Sequence, residues 1–567
     1  MFNLSAVVQA AQLSITIEPR FNDEALRLDS LRYRTSSGET ISITRLSYLI
    51  SGLALETEDG RWLEFPSAIG WVDAAAHRNL LIMPDVPPAN YRGIRFHIGL
   101  DSSTNATDPA TYTASYPLNP NLNGLHWSWQ GGYIFMAVEG MFISPANPAL
   151  KGYAFHLARD ANRTLISLSG NLDCRKDSGA LIHFDLATLF DAPRPLSFEK
   201  DGSSTHSRQG DPIATALVSN LPGAFRIRQL ASPQTTVAVA PRVVPIDFPA
   251  KFTPYRFVMS GSFPIPDLPR DNPLIEERVE LGRHLFYETA LSRNNTISCA
   301  TCHQPDAAFT DGMKLSHGVD GRIGERNAMP LFNLAWKRSF LWDGRATSLR
   351  EGVVMPIQDH REMDQTLESA VMRLKDRSDY RKSFQAAFKS GAITGDNMAL
   401  ALEQFLLTLS ARSSRFDQAM SGKDILSDEE KRGFELFMTE SEPRTGQYGA
   451  DCFHCHGGAL FSDHQFHNNG LSGKDLGRAS VTGLDSDQRK FSTPSLRNVA
   501  LTAPYMHDGR FATLEEVVEH YSSGIVRSET LDPNLAKHSA AGLNLSVEDK
   551  SALVAFLRTL TEIPPVK

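Results

Sequence analysis

Two five-residue runs, Cys299-Ala-Thr-Cys302-His303 and Cys452-Phe-His-Cys455-His456, bring together residue types that can hold a metal. Two thiols at this spacing can form thioethers to the vinyl groups of a haem, and the adjacent histidine then lies under the iron as its axial ligand. Two C-x-x-C pairs can also build one four-cysteine zinc site. A histidine directly after each pair is superfluous for zinc and required for haem. The fifth cysteine, Cys174, is left over as a free thiol. Thiols destined for haem are handled outside the cytosol, so the motifs imply an exported, periplasmic protein. The opening residues, MFNLSAVVQAAQLSITIEP, match the trimmed tail of an export signal in their small and apolar residues but lack a basic start.

A chain of 567 residues is too long for one ordinary core, so two to four domains are expected. A net charge of −8 with no basic stripe argues against nucleic acid as a partner. No apolar run of about 18 residues occurs, which argues against a membrane span. Residues 1–230 contain short alternating runs such as ISITRLSYLISGLALE and GYAFHLARD, separated by turn-forming clusters, and predict a β-sandwich. In 231–273 the prolines preclude regular helix and predict an extended linker. Beyond that point the apolar period becomes helical. The helical half also repeats internally. Gly282-x-x-Leu285-Phe286 before the first motif matches Gly433-x-x-Leu436-Phe437 before the second, and NLAWKRSFLWDGRATSLREGVV is echoed by NVALTAPYMHDGRFATLEEVV. Two related haem domains are expected at 274–420 and 421–567, with Trp342 and His507 in equivalent positions. The fold class is thus an N-terminal β-sandwich followed by a mainly α-helical region of two c-type haem domains.

Two further stretches hold candidates. In GLHWSWQGGYIFMAVEG, residues 124–140, Trp127 and Trp129 flank a single residue, so alternation places both on one face of an extended segment, beside His126. In TLEEVVEHYSSG, Thr513 and Glu516 form a capping box, and Leu514, Val517, Val518 and Tyr521 share a helical face that must pack inward. Tyr521 is then a core residue, or, as the resemblance given next implies, a ligand, with Met506 a nearby alternative ligand.

The paired motifs, with LWDGRATSL, PSLRNVALTAPYMHDGRFATLEEVV and LVAFLRTL, resemble the bacterial dihaem cytochrome c peroxidase/MauG superfamily over about residues 272–562. The HWSWQGGY region, with FHLARD, resembles the MbnP/CorA-type periplasmic copper-binding proteins, whose usual partner is MbnH, a MauG-like enzyme. Enzyme and partner look fused in one chain, although the four-cysteine pattern of many MbnP-type proteins is missing. The first resemblance implies that the haem on His303 reacts with hydrogen peroxide, with Glu362 as distal acid/base and Pro356 beside it; the family's distal glutamine falls on Gly352. His317 matches the histidine that caps this haem in many peroxidases, and is either a reversible ligand or a loop histidine. Tyr521 stands where peroxidases place a methionine, which implies a His456/Tyr521 second haem of the MauG kind, able to share the oxidising equivalents of peroxide. Trp342 is then an electron conduit, an interdomain packing residue, or both. The family's calcium ion would be held by Asn327, Thr502 and Pro504. From the second resemblance, Trp127 or Trp129 is the residue oxidised to kynurenine, and copper would be bound with His156 and, as further candidates, His126 and His97.

Three functions compete: a peroxide-driven oxidase that matures a copper site in its own N-terminal domain, a dihaem peroxidase reducing hydrogen peroxide with the β domain as docking or copper-storage module, and a copper or electron-transfer protein. A periplasmic electron donor is implied for the peroxidase.

Overall fold

The computed structural model describes residues 10–127, 131–231, 247–442, 446–538 and 542–562. The chain divides into two compact units. One comprises the N-terminal residues as far as 231 together with Asp532–His538; the other comprises 247–531 and 542–562.

The first unit is a β-sandwich. A five-stranded sheet is centred on Ala11–Phe21, which runs parallel to Ser178–Asp185 and antiparallel to Leu80–Val86. The ten-stranded sheet has as its main path β1 (Arg45–Thr57), β2 (Asn90–Ile98), β3 (Ile134–Ser144), β4 (Asn147–Ala158), β5 (Thr164–Asp173) and β6 (Ser204–Thr205), in the spatial order β5-β2-β1-β3-β4-β6. Central β1 reads as a nearly continuous apolar run because both of its faces are covered. Tyr48 and Ile50 point into the core shared with the smaller sheet. Leu49, one residue out of phase, joins Phe135, Tyr133, Leu125 and Trp71 in a second apolar layer, and Trp127 packs on that layer. The period of two thus decides which face of the sheet receives the tryptophan.

The second unit is helical and duplicated. In the first half α1 (Glu276–Phe286) packs on α3 (Gly395–Thr408), with α2 (Leu349–Gln358) between them in sequence; in the second half α4 (Asp428–Phe437) packs on α6 (Val547–Thr559), with α5 (Leu514–Ser523) between. The glycine of each G-x-x-L-F run sits at the helix crossing. A Cβ on Gly282 would lie 2.0 Å from the Ala401 carbonyl oxygen, and one on Gly433 would lie 1.9 Å from that of Ala552. Asn333 and Asn498 both adopt φ 58°, and each donates its backbone N–H to the end of its half's long helix, at Leu409 and Leu560. Among the described residues, no helix is long and apolar enough to cross a membrane.

Part of the expected linker, 232–246, lies outside the described residues, as do Trp129 and the first nine residues. The remainder, 247–273, is no free tether. Phe263 is fully buried against Trp336, whose indole N–H donates to the Pro264 carbonyl at 2.6 Å. Proline forbids helix here but does not forbid burial.

Candidate active site and metal centres

The first motif opens a short helix, Cys299–Cys302, capped reciprocally by Ser298 and Thr301. His303 turns its Nδ1 to the Phe309 carbonyl at 2.9 Å, and His456 does the same to Phe461 at 3.1 Å. A ring that donates Nδ1–H to a carbonyl presents a bare Nε2 lone pair, the form that ligates iron. The four motif cysteines form no common cluster among the described residues, so the four-cysteine zinc alternative fails. Burial pushes the Cys299 thiol up to about 12 and Cys302 to about 11.

A cavity of about 630 Å³ opens over the first motif, with Cys299, Cys302 and His303 on one side and Gly352, Pro356 and Glu362 on another. Its size and its paired thiols and histidine fit a covalent haem. Pro356 lies inside α2, where it has no N–H to give the Gly352 carbonyl, and with Leu349, Gly352 and Val353 it makes the helix's share of the wall free of polar side chains. Glu362 follows in a turn closed by its N–H on the Asp359 carbonyl at 3.0 Å. Burial, and then the Asp359 charge, raise its carboxyl to about 7, against the pull of Arg345. A carboxyl poised near neutrality inside such a cavity suits acid/base work on peroxide. His317 does not join the cavity wall, although Ser316 and Gly318 do. Its loop is strapped to the Glu362 turn by the Val319 N–H on the Glu362 carbonyl, 2.7 Å, and Gly318 approaches the Arg361 carbonyl too closely for any side chain.

The second motif faces α5. Tyr521 lies on the inward face expected of it, and burial raises its hydroxyl to about 12. The Asn469 side-chain amide, which sequence reasoning missed, donates to the Tyr521 hydroxyl and to the Met506 sulfur, both at 3.4 Å. The two candidate ligands therefore converge on one amide. Trp342 is buried on the wall of the first cavity. Its indole N–H reaches the Asn327 carbonyl at 2.9 Å, and the Asn327 N–H reaches the His507 carbonyl at 2.8 Å. The equivalent residues of the two halves are thus joined through the backbone of one residue, Asn327. His507 stacks on Phe491 at 3.6 Å. At the expected calcium position, the Asn327 side-chain nitrogen faces the Met313 and Lys314 carbonyls at 2.9 and 3.3 Å. Among the described residues, no donor is placed on the Thr502 or Pro504 carbonyls, a pattern that fits oxygen ligation of a hard cation.

In the β unit, His156 on β4 places Nδ1 3.1 Å from Nε2 of His206, which lies just past the end of β6. Its Nε2 is 2.9 Å from Glu139 Oε1, and Glu139 also takes Arg45 at 2.9 Å and Asn534 at 3.2 Å. A carboxylate that fixes one imidazole nitrogen while the other faces a second imidazole is an arrangement suited to copper. The Trp127 ring lies 5.6 Å from that of His206. His206 carries no local sequence signal; the parallel pairing of β6 with β4 brings it in. His97 and His126 do not belong to this cluster. His97 is on β2, three strand spacings from β4, or about 14 Å across the sheet. His126 packs edge-on against Tyr133 at 4.7 Å, since residues adjacent in sequence face opposite ways. The Gly131 N–H returns to the Trp127 carbonyl at 2.9 Å, and Gly131 and Gly132 take φ of 76° and 86°.

Comparison with known proteins respects the same division. The family model for di-haem cytochrome c peroxidase matches residues 276–425, and that for MbnP matches residues 10–207. The chain is 36% identical over 295 residues to the methylamine utilization protein MauG of Methylophilus methylotrophus, covering 52% of this chain and 84% of MauG. It is 32% identical over 315 residues to cytochrome c551 peroxidase of Nitrosomonas europaea, covering 54% of this chain and 87% of that enzyme. A solved structure described as a MauG-like protein associated with microbial copper homeostasis is 33% identical, covers 55% of this chain and 98% of its own, and superposes with a TM-score of 0.49. The chain belongs to the di-haem cytochrome c peroxidase family, as an oxidoreductase with two haem c groups and an MbnP domain at its N-terminal side.

Proposed function

We propose that this enzyme uses hydrogen peroxide to oxidise a tryptophan of its own β unit, Trp127 or Trp129, to kynurenine, and thereby completes a copper site with His156 and His206. The observation that carries this reading is the indole of Trp127 held against a paired histidine system in the domain fused to the oxidant. Haem supplies the oxidising power when peroxide reaches it. Glu362 takes and returns the peroxide proton, Pro356 and Gly352 keep that side of the cavity open, and Trp342 relays electrons. Asn327, Thr502 and Pro504 hold calcium. Tyr521 serves the second haem as a hard oxygen ligand, which favours the oxidised metal. Fusion raises the local concentration of substrate without a diffusional encounter. Haem attachment outside the cytosol makes the protein periplasmic.

The reaction balances with two peroxides. Each gives one oxygen and leaves as water, and together they cleave the indole C2–C3 bond to N-formylkynurenine; hydrolysis then releases formate. The net change is one oxygen gained and one carbon lost, about 4 Da. The new aryl amine and ketone are groups that indole cannot offer a metal. Peptide mapping of the protein with both haems, before and after peroxide, should place this gain on Trp127 or Trp129, with tight copper binding only afterwards. An unmodified peptide after turnover sinks the reading. The alternative, a peroxidase fed by a periplasmic electron donor with the β unit as docking or copper-storage module, would then stand.

A further inference from the structure

Two basic side chains beside the second motif have no part in the chemistry above. Lys337 lies in the segment that leads to Trp342, and its Nζ is 3.3 Å from the Ser492 hydroxyl. Burial alone shifts its ammonium, down to about 8, and no carboxylate offsets that cost. His464 sits in the loop after the second motif with φ 57°, its Nδ1 3.2 Å from the Ser462 hydroxyl. Its Nε2 is closed off from solvent and meets no hydrogen-bond partner among the described residues. Burial, then the Lys337 charge and to a lesser degree that of Arg338, push it down to about 3, against the pull of Asp463. The adjacent carboxylate, Asp463, is engaged by His467 Nε2 at 2.8 Å and by the Gln465 N–H at 3.0 Å. The Ser462 hydroxyl that faces His464 donates to the Thr493 carbonyl at 2.9 Å, one residue from the Ser492 that Lys337 contacts, so the two side chains meet at one place. An ammonium beside an enclosed imidazole nitrogen, with no carboxylate between them among the described residues, is costly unless an anion joins them.

Their surroundings say which anion. The Asp463 N–H bonds the Cys455 carbonyl at 2.8 Å, so the His464 loop is pinned to the attachment motif itself. The Ser492 N–H bonds the Trp342 carbonyl, also at 2.8 Å, so the Lys337 contact belongs to the segment between the haems. A c-type haem brings two propionate carboxylates into the protein with it. We propose that Lys337 and His464 seat a propionate of the haem attached at Cys452 and Cys455, so that a residue of the first half neutralises a charge of the second haem. This rests on the two-haem assignment. The link has a functional consequence: the Lys337 ammonium favours the reduced second haem, and its anchor at Ser492 bonds the backbone of Trp342.

The test uses the full chain with both haems. Pyridine haemochrome analysis first counts the haems; a count of one would sink the two-haem assignment itself. Potentiometric titration then tracks each haem in Lys337→Gln, His464→Gln and the control Lys389→Gln, an exposed lysine of the first half. The expected result is a lower midpoint for the second haem in Lys337→Gln, by about tenfold in its reduction equilibrium (about 59 mV for one electron). The first haem and the Lys389 control should not move. Resonance Raman should show a shifted propionate bending mode in both Lys337→Gln and His464→Gln. If Lys337→Gln loses the second haem, His464→Gln alone decides through the Raman mode. An unmoved second midpoint with an unchanged propionate mode, or a shift confined to the first haem, overturns the proposal.

Discussion

The two haem halves share a frame and part at one helix position. α2 is capped by the Ser348 hydroxyl on the Glu351 N–H and α5 by the Thr513 hydroxyl on the Glu516 N–H, each at 3.2 Å. Eight residues beyond its cap the first helix carries Pro356; eight residues beyond its cap the second carries Tyr521. Proline has no side-chain atom to offer a metal and no N–H, whereas tyrosine carries a phenol on the inward face. The halves also differ beyond that helix. The first inserts the Asp359–Glu362 turn and two further helices, Leu367–Lys375 and Ser378–Ala387, where the second has none between α5 and Asp532. Duplication and these later changes give one haem site an open wall with a titrating acid and the other a candidate ligand. In the proposed reaction the first half meets peroxide and the second stores oxidising power.

The largest effect should come from Glu362. Glu362→Gln is expected to slow the reaction with peroxide by about 10²–10⁴-fold while both haems stay bound, the usual worth of a positioned acid/base. Only the carboxylate form can accept the peroxide proton, and burial holds this group at about 7. The wild-type rate should therefore rise with pH through about 7, and the variant's should stay flat. Stopped-flow traces showing equal rates and equal pH profiles would show that Glu362 takes no part in the reaction with peroxide.

Next comes the divergent position itself. Tyr521→Phe should change the spectrum of the second haem alone and leave the peroxide rate at the first within a few-fold. Met506, which shares the Asn469 amide with Tyr521, is placed to take over, and a thioether ligand would raise the second potential. A spectrum identical to wild type would make Tyr521 a core residue.

Much of this comparison was legible in the sequence because it is carried by motifs with local geometry. The two C-x-x-C-H runs, the duplicated Asn-to-Asp-Gly-Arg segments and the Thr513 capping box each fix their own neighbourhood. Glu362 stood in a recognisable stretch, and the cavity then accounted for its raised proton affinity. The features that stayed hidden depend on long-range pairing. His206 meets His156 only because a two-residue strand adds to the edge of a ten-stranded sheet. Lys337 comes to the His464 loop only through Ser492 and Thr493, beside the small antiparallel pair of Phe466–His467 with Phe491–Ser492. His126 and His97 were drawn in by proximity in sequence or strand type, and sheet order separates them from His156. The proline-rich stretch predicted a tether, yet Phe263 buries in the helical unit, because composition reports on backbone freedom and not on where an aromatic ring goes.

The glycine pair tests whether the halves are equivalent where they have not diverged. Gly282→Ala and Gly433→Ala each drive a methyl group against a helix carbonyl at about the same distance. Both should destabilise the protein by about 1–3 kcal/mol in chemical denaturation, the range for overpacking a tight contact. A large cost in one half and none in the other would show that only one helix crossing is rigid.

The smallest expected effect concerns the caps. Ser348→Ala and Thr513→Ala should each cost about 1 kcal/mol, the worth of one hydroxyl on an otherwise orphaned N–H. The surroundings of the two caps differ. Glu516 returns its carboxylate to the Thr513 N–H at 3.3 Å and to the Ala512 N–H, completing a reciprocal box, whereas Glu351 turns to the Thr347 N–H and hydroxyl at 2.8 and 2.9 Å. Removing Glu516 as well as Thr513 should therefore add to the loss at α5, while at α2 the Glu351 contacts lie outside the cap and their removal should add less. Fraying acts on the first turn, and Tyr521 is two turns further along, held by Asn469 and by the packing of its neighbours Leu514 and Val518. The second-haem spectrum should consequently be unchanged in Thr513→Ala even as the unfolding midpoint falls. If the spectrum moves with the midpoint, the position of Tyr521 is set by its helix terminus, and the difference between the two halves begins at residue 513 and not at residue 521.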